Sequence, residues 1–104
     1  MNRHALISMI CTFGLGSAMA QSTAPPSADF QAMLWASSCM ACHGTDGRAE
    51  GTGLTIGNRP VDKLVEMLRA FKSGQRQSTV MQQHVLGYSD EELQRIAQYF
   101  SRIK

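Results

Sequence analysis

The chain is poor in most of the features that announce a large fold. Its 104 residues include three prolines, three cysteines, two tyrosines and one tryptophan. No alternation of apolar and polar residues runs long enough for a strand, which argues against a sheet. No apolar stretch reaches the roughly 20 residues that a bilayer crossing needs. A G-x-G-x-x-G motif is missing, so a flavin or nicotinamide dinucleotide would have to sit on another polypeptide. Charge is sparse and nearly balanced, ten basic against eight acidic residues. Without a basic stripe, nucleic acid is a poor partner, because backbone neutralisation needs clustered cations. No internal repeat is visible.

The first twenty residues have the layout of a secretory signal. Arg3 and His4 form a short polar start, Ala5 to Leu15 is mostly apolar, and Ala18-Met19-Ala20 is a small-x-small cleavage site. A retained anchor is the alternative. Ser8-Met9-Ile10-Cys11 lacks the small residue that a lipoprotein box places before its cysteine, so Cys11 leaves with the signal. Residues 1–20 are therefore expected to be cleaved and the remainder exported to the periplasm. The 84 residues left carry a net charge of about +1, and their size suits one small domain that benefits from a staple. Residues 21–28, rich in Ser, Ala and Pro, read as a flexible leader.

What is present is concentrated in Cys39-Met40-Ala41-Cys42-His43. C-x-x-C-H is the attachment signature of c-type haem. Residues three apart share a helix face, so Cys39 and Cys42 can reach two substituents on one porphyrin edge, and the adjacent imidazole of His43 can take an axial site on iron. A thioredoxin-like thiol pair would need a βαβ context. A structural zinc site would need about four ligands, and the exported part offers Cys39, Cys42, His43 and His84 without paired spacing. A disulfide between Cys39 and Cys42 is the plainest competitor.

Three helices are expected. The first runs from about Asp29 to Ser37, with Phe30, Met33 and Leu34 on its apolar face. The second starts near Pro60, carries Leu64, Leu68 and Phe71, and stops at Gly74, with Lys72 favourable near its end. The third opens on the capping box Ser89-Asp90-Glu91-Glu92 and presents Leu93, Ile96, Ala97 and Phe100. A glycine-rich loop from Gly44 to Gly57 and a polar loop from Ser73 to Tyr88 lie between them. Helices one and three are expected to cross through Phe30 or Leu34, with Ile56 over the haem edge and Trp35 and Tyr88 packed in the core.

A second axial ligand must come from the other haem face. Met40 lies inside the attachment motif, and Met33 and Met67 fall on helical faces where methionine is ordinary core filling. Met81 has no such explanation and is the candidate ligand, with His84 its rival. A thioether ligand favours ferrous iron and raises the reduction potential.

The order of these segments resembles the class I cytochromes c, small bacterial monohaem proteins. The resemblance rests on Cys39-Met40-Ala41-Cys42-His43-Gly44-Thr45-Asp46-Gly47, Phe71-Lys72-Ser73-Gly74-Gln75-Arg76, Thr79-Val80-Met81, Tyr88-Ser89-Asp90-Glu91-Glu92-Leu93 and Tyr99-Phe100. It extends to the cytochrome subunit of flavocytochrome c sulfide dehydrogenase. It implies an all-α class I cytochrome c fold over 29–104, three main helices and long loops around one covalently bound haem c. It implies thioethers at Cys39 and Cys42, axial ligands His43 and Met81, and single-electron transfer without catalysis of its own. Redox proteins are the implied partners: a flavoprotein subunit, or a terminal oxidase or reductase. Such cytochromes usually carry a proline whose carbonyl accepts a hydrogen bond from the ligand histidine, and the equivalent here is Leu54.

Overall fold

The computed structural model describes residues 29–104. The expected signal at 1–20 and leader at 21–28 lie outside them. Four helices follow one another: α1 (Phe30–His43), α2 (Val61–Lys72), α3 (Thr79–Leu86) and α4 (Asp90–Ser101), with a short 3-10 turn at Thr45–Gly47. No strand occurs among the described residues, and the all-α expectation holds.

Helix α4 forms as its sequence dictates. Ser89 accepts from the Glu92 amide at 3.2 Å while the Glu92 carboxylate accepts from the Ser89 amide at 2.8 Å, which satisfies two free donors of the first turn. Leu93, Ile96, Ala97 and Phe100 are all buried, so the stripe read from the sequence is the spine of the core. Helix α2 lies against α4 and α3, and α1 crosses α4. In α2, Leu64 is buried and Leu68 and Phe71 pack partly buried against the same cluster.

Helix α1 departs from expectation in length and in face. It continues through Ser37 and Ser38 to His43, because the two hydroxyls donate back to the carbonyls of Leu34 at 2.6 Å and Trp35 at 2.9 Å and so stay compatible with the helix. Its buried residues are Ala32 and Ala36, not Phe30, Met33 and Leu34, which are 66, 40 and 61% exposed. Small side chains let α1 approach α4 closely, and the bulk at the crossing comes from α4. The entry of α1 is pinned by Asp29. Its carboxylate accepts from the Ala32 amide at 3.0 Å and takes a two-point contact from Arg95, both distances 2.7 Å. The Arg95 guanidinium also lies 4.7 Å above the centre of the Trp35 ring, a cation–π contact. Arg95 holds the Asp29 carboxyl down at about 2.

The segment expected to be an irregular polar loop, Ser73 to Tyr88, contains α3. Ser78 caps it by accepting from the Met81 amide at 3.2 Å, and Val85 is buried in the common core. Two turns are too short to show a helical stripe, so capping and packing on α2 establish what periodicity could not.

Candidate functional site

The four helices leave a cavity of about 460 Å³ between them, within the roughly 300–1,000 Å³ common for small-ligand sites. Helix α1 contributes Cys39, Cys42 and His43, α2 contributes Leu64, Met67, Leu68 and Phe71, and α3 contributes Val80, Met81, His84 and Val85. Helix α4 supplies Leu93, Ile96, Ala97 and Phe100 as its floor, and Ile56 lines it from the loop. Helices α1 and α3 pack extensively on other elements rather than on each other.

The motif sits on the last turn of α1. Cys39 and Cys42 are both free thiols, and burial pushes the Cys39 thiol up, so it is held neutral. One helical turn carries both toward the cavity, as the three-residue spacing requires. Directly after His43 the chain turns through Gly44, at φ +78°, whose amide closes the helix onto the Met40 carbonyl at 3.0 Å. A Cβ there would lie 2.6 Å from the Arg48 carbonyl oxygen, so the turn that ends the motif needs glycine.

His43 is oriented from its far side. Its Nδ1 is 2.5 Å from the Leu54 carbonyl oxygen. A carbonyl can only accept, so Nδ1 is the donor, and in the neutral imidazole Nε2 is then the nitrogen with the lone pair. Leu54 does this without the proline of the resembled cytochromes. The Thr52 hydroxyl donates to the Ala49 carbonyl at 2.7 Å and accepts from the Leu54 amide at 3.2 Å. Two residues on, the Gly47 carbonyl accepts from the amides of Ile56 and Gly57 at 2.8 and 3.0 Å. Gly47, at φ +71°, lies against Phe100, where a Cβ would come within 2.9 Å of the ring. Hydrogen bonds replace ring rigidity in holding the carbonyl.

Met81 lines the cavity from α3, as does His84 one turn on. Met67 lines it too, whereas Met33 and Met40 do not. Tyr88 and Ser38 line it together, 3.3 Å apart through their hydroxyl oxygens, so Tyr88 borders the cavity as well as packing edge-on against Trp35. Sequence reasoning missed Arg59. Among the described residues, Arg59 and Arg76 are the fixed charges of the lining, and no carboxylate joins them. Arg59 is braced by the Thr55 carbonyl at 2.8 Å, and Arg76 lies 5.0 Å over the Phe71 ring.

The arrangement fits a haem by the chemistry of its donors. An apolar chamber faces two thiols three residues apart, an imidazole oriented through its Nδ1 and two guanidinium groups suited to carboxylates. A closed zinc site is not assembled, since among the described residues no three Cys, His, Asp or Glu side chains converge.

A sequence profile of the family described as cytochrome c oxidase, cbb3-type, subunit III matches residues 26–100. The chain belongs to this cytochrome c family. It is a monohaem c-type cytochrome whose cofactor is covalently bound haem c. Among curated relatives, the cytochrome subunit of sulfide dehydrogenase from Chlorobaculum tepidum is 41% identical over 66 residues, 64% of this chain. That alignment spans 60% of the relative's own length. Cytochrome c-553 from Nitratidesulfovibrio vulgaris is 33% identical over 111 residues, covering 99% of this chain and 100% of the relative. Among the described residues, no helix of this cytochrome is long and apolar enough to cross a membrane.

Proposed function

We propose that this cytochrome is a periplasmic carrier of single electrons, with its haem iron held between His43 and Met81. The observation that carries the reading is one cavity, lined by Cys39, Cys42 and His43 from α1 and by Met81 from α3. When bound, haem c supplies a one-electron couple that needs no substrate access. Cys39 and Cys42 hold the porphyrin as thioethers. His43 would hold the iron through Nε2, and the Leu54 carbonyl, accepting from Nδ1, orients the ring for that role. The thioether of Met81, soft and uncharged, favours the reduced state. Leu64, Leu68, Phe71 and Ile96 give the chamber an apolar wall, and Arg59 and Arg76 would compensate the carboxylates of the bound group.

Met67 is the other methionine of the lining, but its place on α2 is explained by packing. Leu64, Met67, Leu68 and Phe71 form one i, i+3, i+4, i+7 stripe. Met81 stands one turn before the buried Val85, and it lines the cavity from α3 rather than from the α2 wall. Residues 1–20 are assigned to an export signal, 21–28 to a leader and 29–104 to the cytochrome domain.

A second reading is supported by the relative from Chlorobaculum tepidum: a haem subunit that accepts electrons from a flavoprotein oxidising sulfide. The mass of the native particle separates carrier from subunit.

The test of ligation is the absorption spectrum of the matured protein. The wild type is expected to be low-spin with a weak thioether–iron charge-transfer band, which Met81→Ala abolishes and Met67→Leu retains. A Met81→Ala spectrum identical to the wild type refutes the ligation, and loss of the band in Met67→Leu moves the ligand to α2.

A further inference from the structure

Helix α3, which carries Met81, has little packing of its own to hold it. It buries one side chain fully, Val85, at 2% exposure, and packs chiefly on α2. Its position is therefore set mainly at its two ends. At the start, Ser78 caps the helix and the Arg76 amide donates to the Ala70 carbonyl of α2 at 2.9 Å. At the finish, the chain passes Gly87 into Tyr88, and α2 reaches across to meet it. The Lys72 ammonium donates to the Tyr88 carbonyl at 2.8 Å and to the Asp90 carboxylate at 3.0 Å. Arg69 stands 3.6 Å from the other oxygen of Asp90.

Tyr88 joins this end of α3 to the wall that bears the attachment motif. Its ring meets Trp35 edge-on at 6.4 Å and its hydroxyl lies 3.3 Å from Ser38, beside Cys39. Lys72 thus links α2, the end of α3 and, through Tyr88, α1. The ammonium is partly withdrawn from water, its side chain 29% exposed, whereas Asp90 is 58% exposed. An exposed ion pair contributes little, but a charged donor on a backbone carbonyl is among the stronger neutral-acceptor bonds. The Tyr88 carbonyl is the contact that fixes geometry.

We propose that Lys72 is a positioning residue for the sixth ligand: by holding the Tyr88 carbonyl, it fixes the end of α3 and so keeps the Met81 thioether within reach of the iron. The inference rests on the assignment of Met81 as ligand. Without the Lys72 bond, α3 swings more freely, the thioether leaves the metal more often, and an external ligand competes better.

The experiment is a cyanide titration of the ferric holoprotein, followed in the visible spectrum, on the wild type and four variants. Lys72→Met keeps the aliphatic stem and removes the ammonium. It is expected to bind cyanide about tenfold more tightly, the equivalent of one charge-assisted hydrogen bond, and to show a weakened thioether–iron band. Lys72→Arg restores a donor, and Asp90→Asn removes the exposed ion pairs to Lys72 and Arg69 while leaving the Tyr88 carbonyl bond, so both are expected within about threefold of the wild type. Ala32→Val loosens α1 away from the cavity, at a residue that is buried but belongs neither to its lining nor to the cluster around Val85, and controls for general destabilisation. Wild-type cyanide affinity in Lys72→Met, or an equal rise in Ala32→Val, overturns the proposal. A wild type without the thioether–iron band instead refutes the Met81 assignment itself, and the proposal falls with it.

Discussion

The face that α1 buries is open to a decisive stability test, because pattern and packing point to different residues. By helical spacing, Leu34 belongs to an apolar stripe with Phe30 and Met33, and Ala36 looks incidental. In the fold Leu34 is 61% exposed and Ala36 is wholly enclosed. Leu34→Ala removes three carbon groups worth about 0.8 kcal/mol each when fully buried. With most of the side chain already in water, the loss falls to under about 1 kcal/mol, and alanine's better helix propensity offsets part of that. Ala36→Leu inserts the same bulk where α1 meets α4, at a cost of about 1–3 kcal/mol or more. For a domain of this size, each kcal/mol corresponds to about 4–8 °C in Tm. Guanidinium unfolding of the holoprotein, followed by far-ultraviolet circular dichroism, gives both values. A Leu34→Ala loss equal to or larger than that of Ala36→Leu would refute the assignment of the buried face.

Two further outcomes follow from the ends of α1 and α4. Ser89→Ala removes one half of the reciprocal cap of α4 and should cost about 1 kcal/mol in the same unfolding assay; an unchanged midpoint would mean that the cap is dispensable. Asp29 has its carboxyl held at about 2 by Arg95, below its ordinary value. A depressed folded-state pKa gives stability that is present above the unfolded value, near 4, and is lost as pH falls toward 2. Asp29→Asn should therefore flatten that part of the pH–stability curve while retaining a side-chain oxygen for the cap. An acid limb as steep as the wild type's would show that other carboxylates produce it.

Local chemistry was legible in the chain because its signals are short and self-contained. The C-x-x-C-H run needs one helical turn to present two thiols and an imidazole, and Ser89 with Glu92 closes a cap over four residues. Leu93, Ile96, Ala97 and Phe100 carry enough apolar area to fix which way α4 faces, and Leu64, Leu68 and Phe71 do nearly the same for α2. These segments sufficed for an all-α fold and a haem site; Met81, expected as the second axial ligand, lines the same cavity.

Tertiary structure decided what depends on partners distant in the chain. Ala32 and Ala36 are buried because α1 must approach α4 closely, a steric requirement invisible to a count of hydrophobic residues. The eight residues of α3 take their shape from Ser78 and from α2, since two turns do not sustain a helix alone. The orientation of the His43 ring follows from a carbonyl eleven residues away that accepts from Nδ1, held by Thr52 in place of proline. Arg59 reaches the rim, and Lys72 reaches Tyr88, only once α2 and the loops have packed. The sequence by itself determined the attachment motif and the candidate ligands; the packing of four helices decided that they line one cavity.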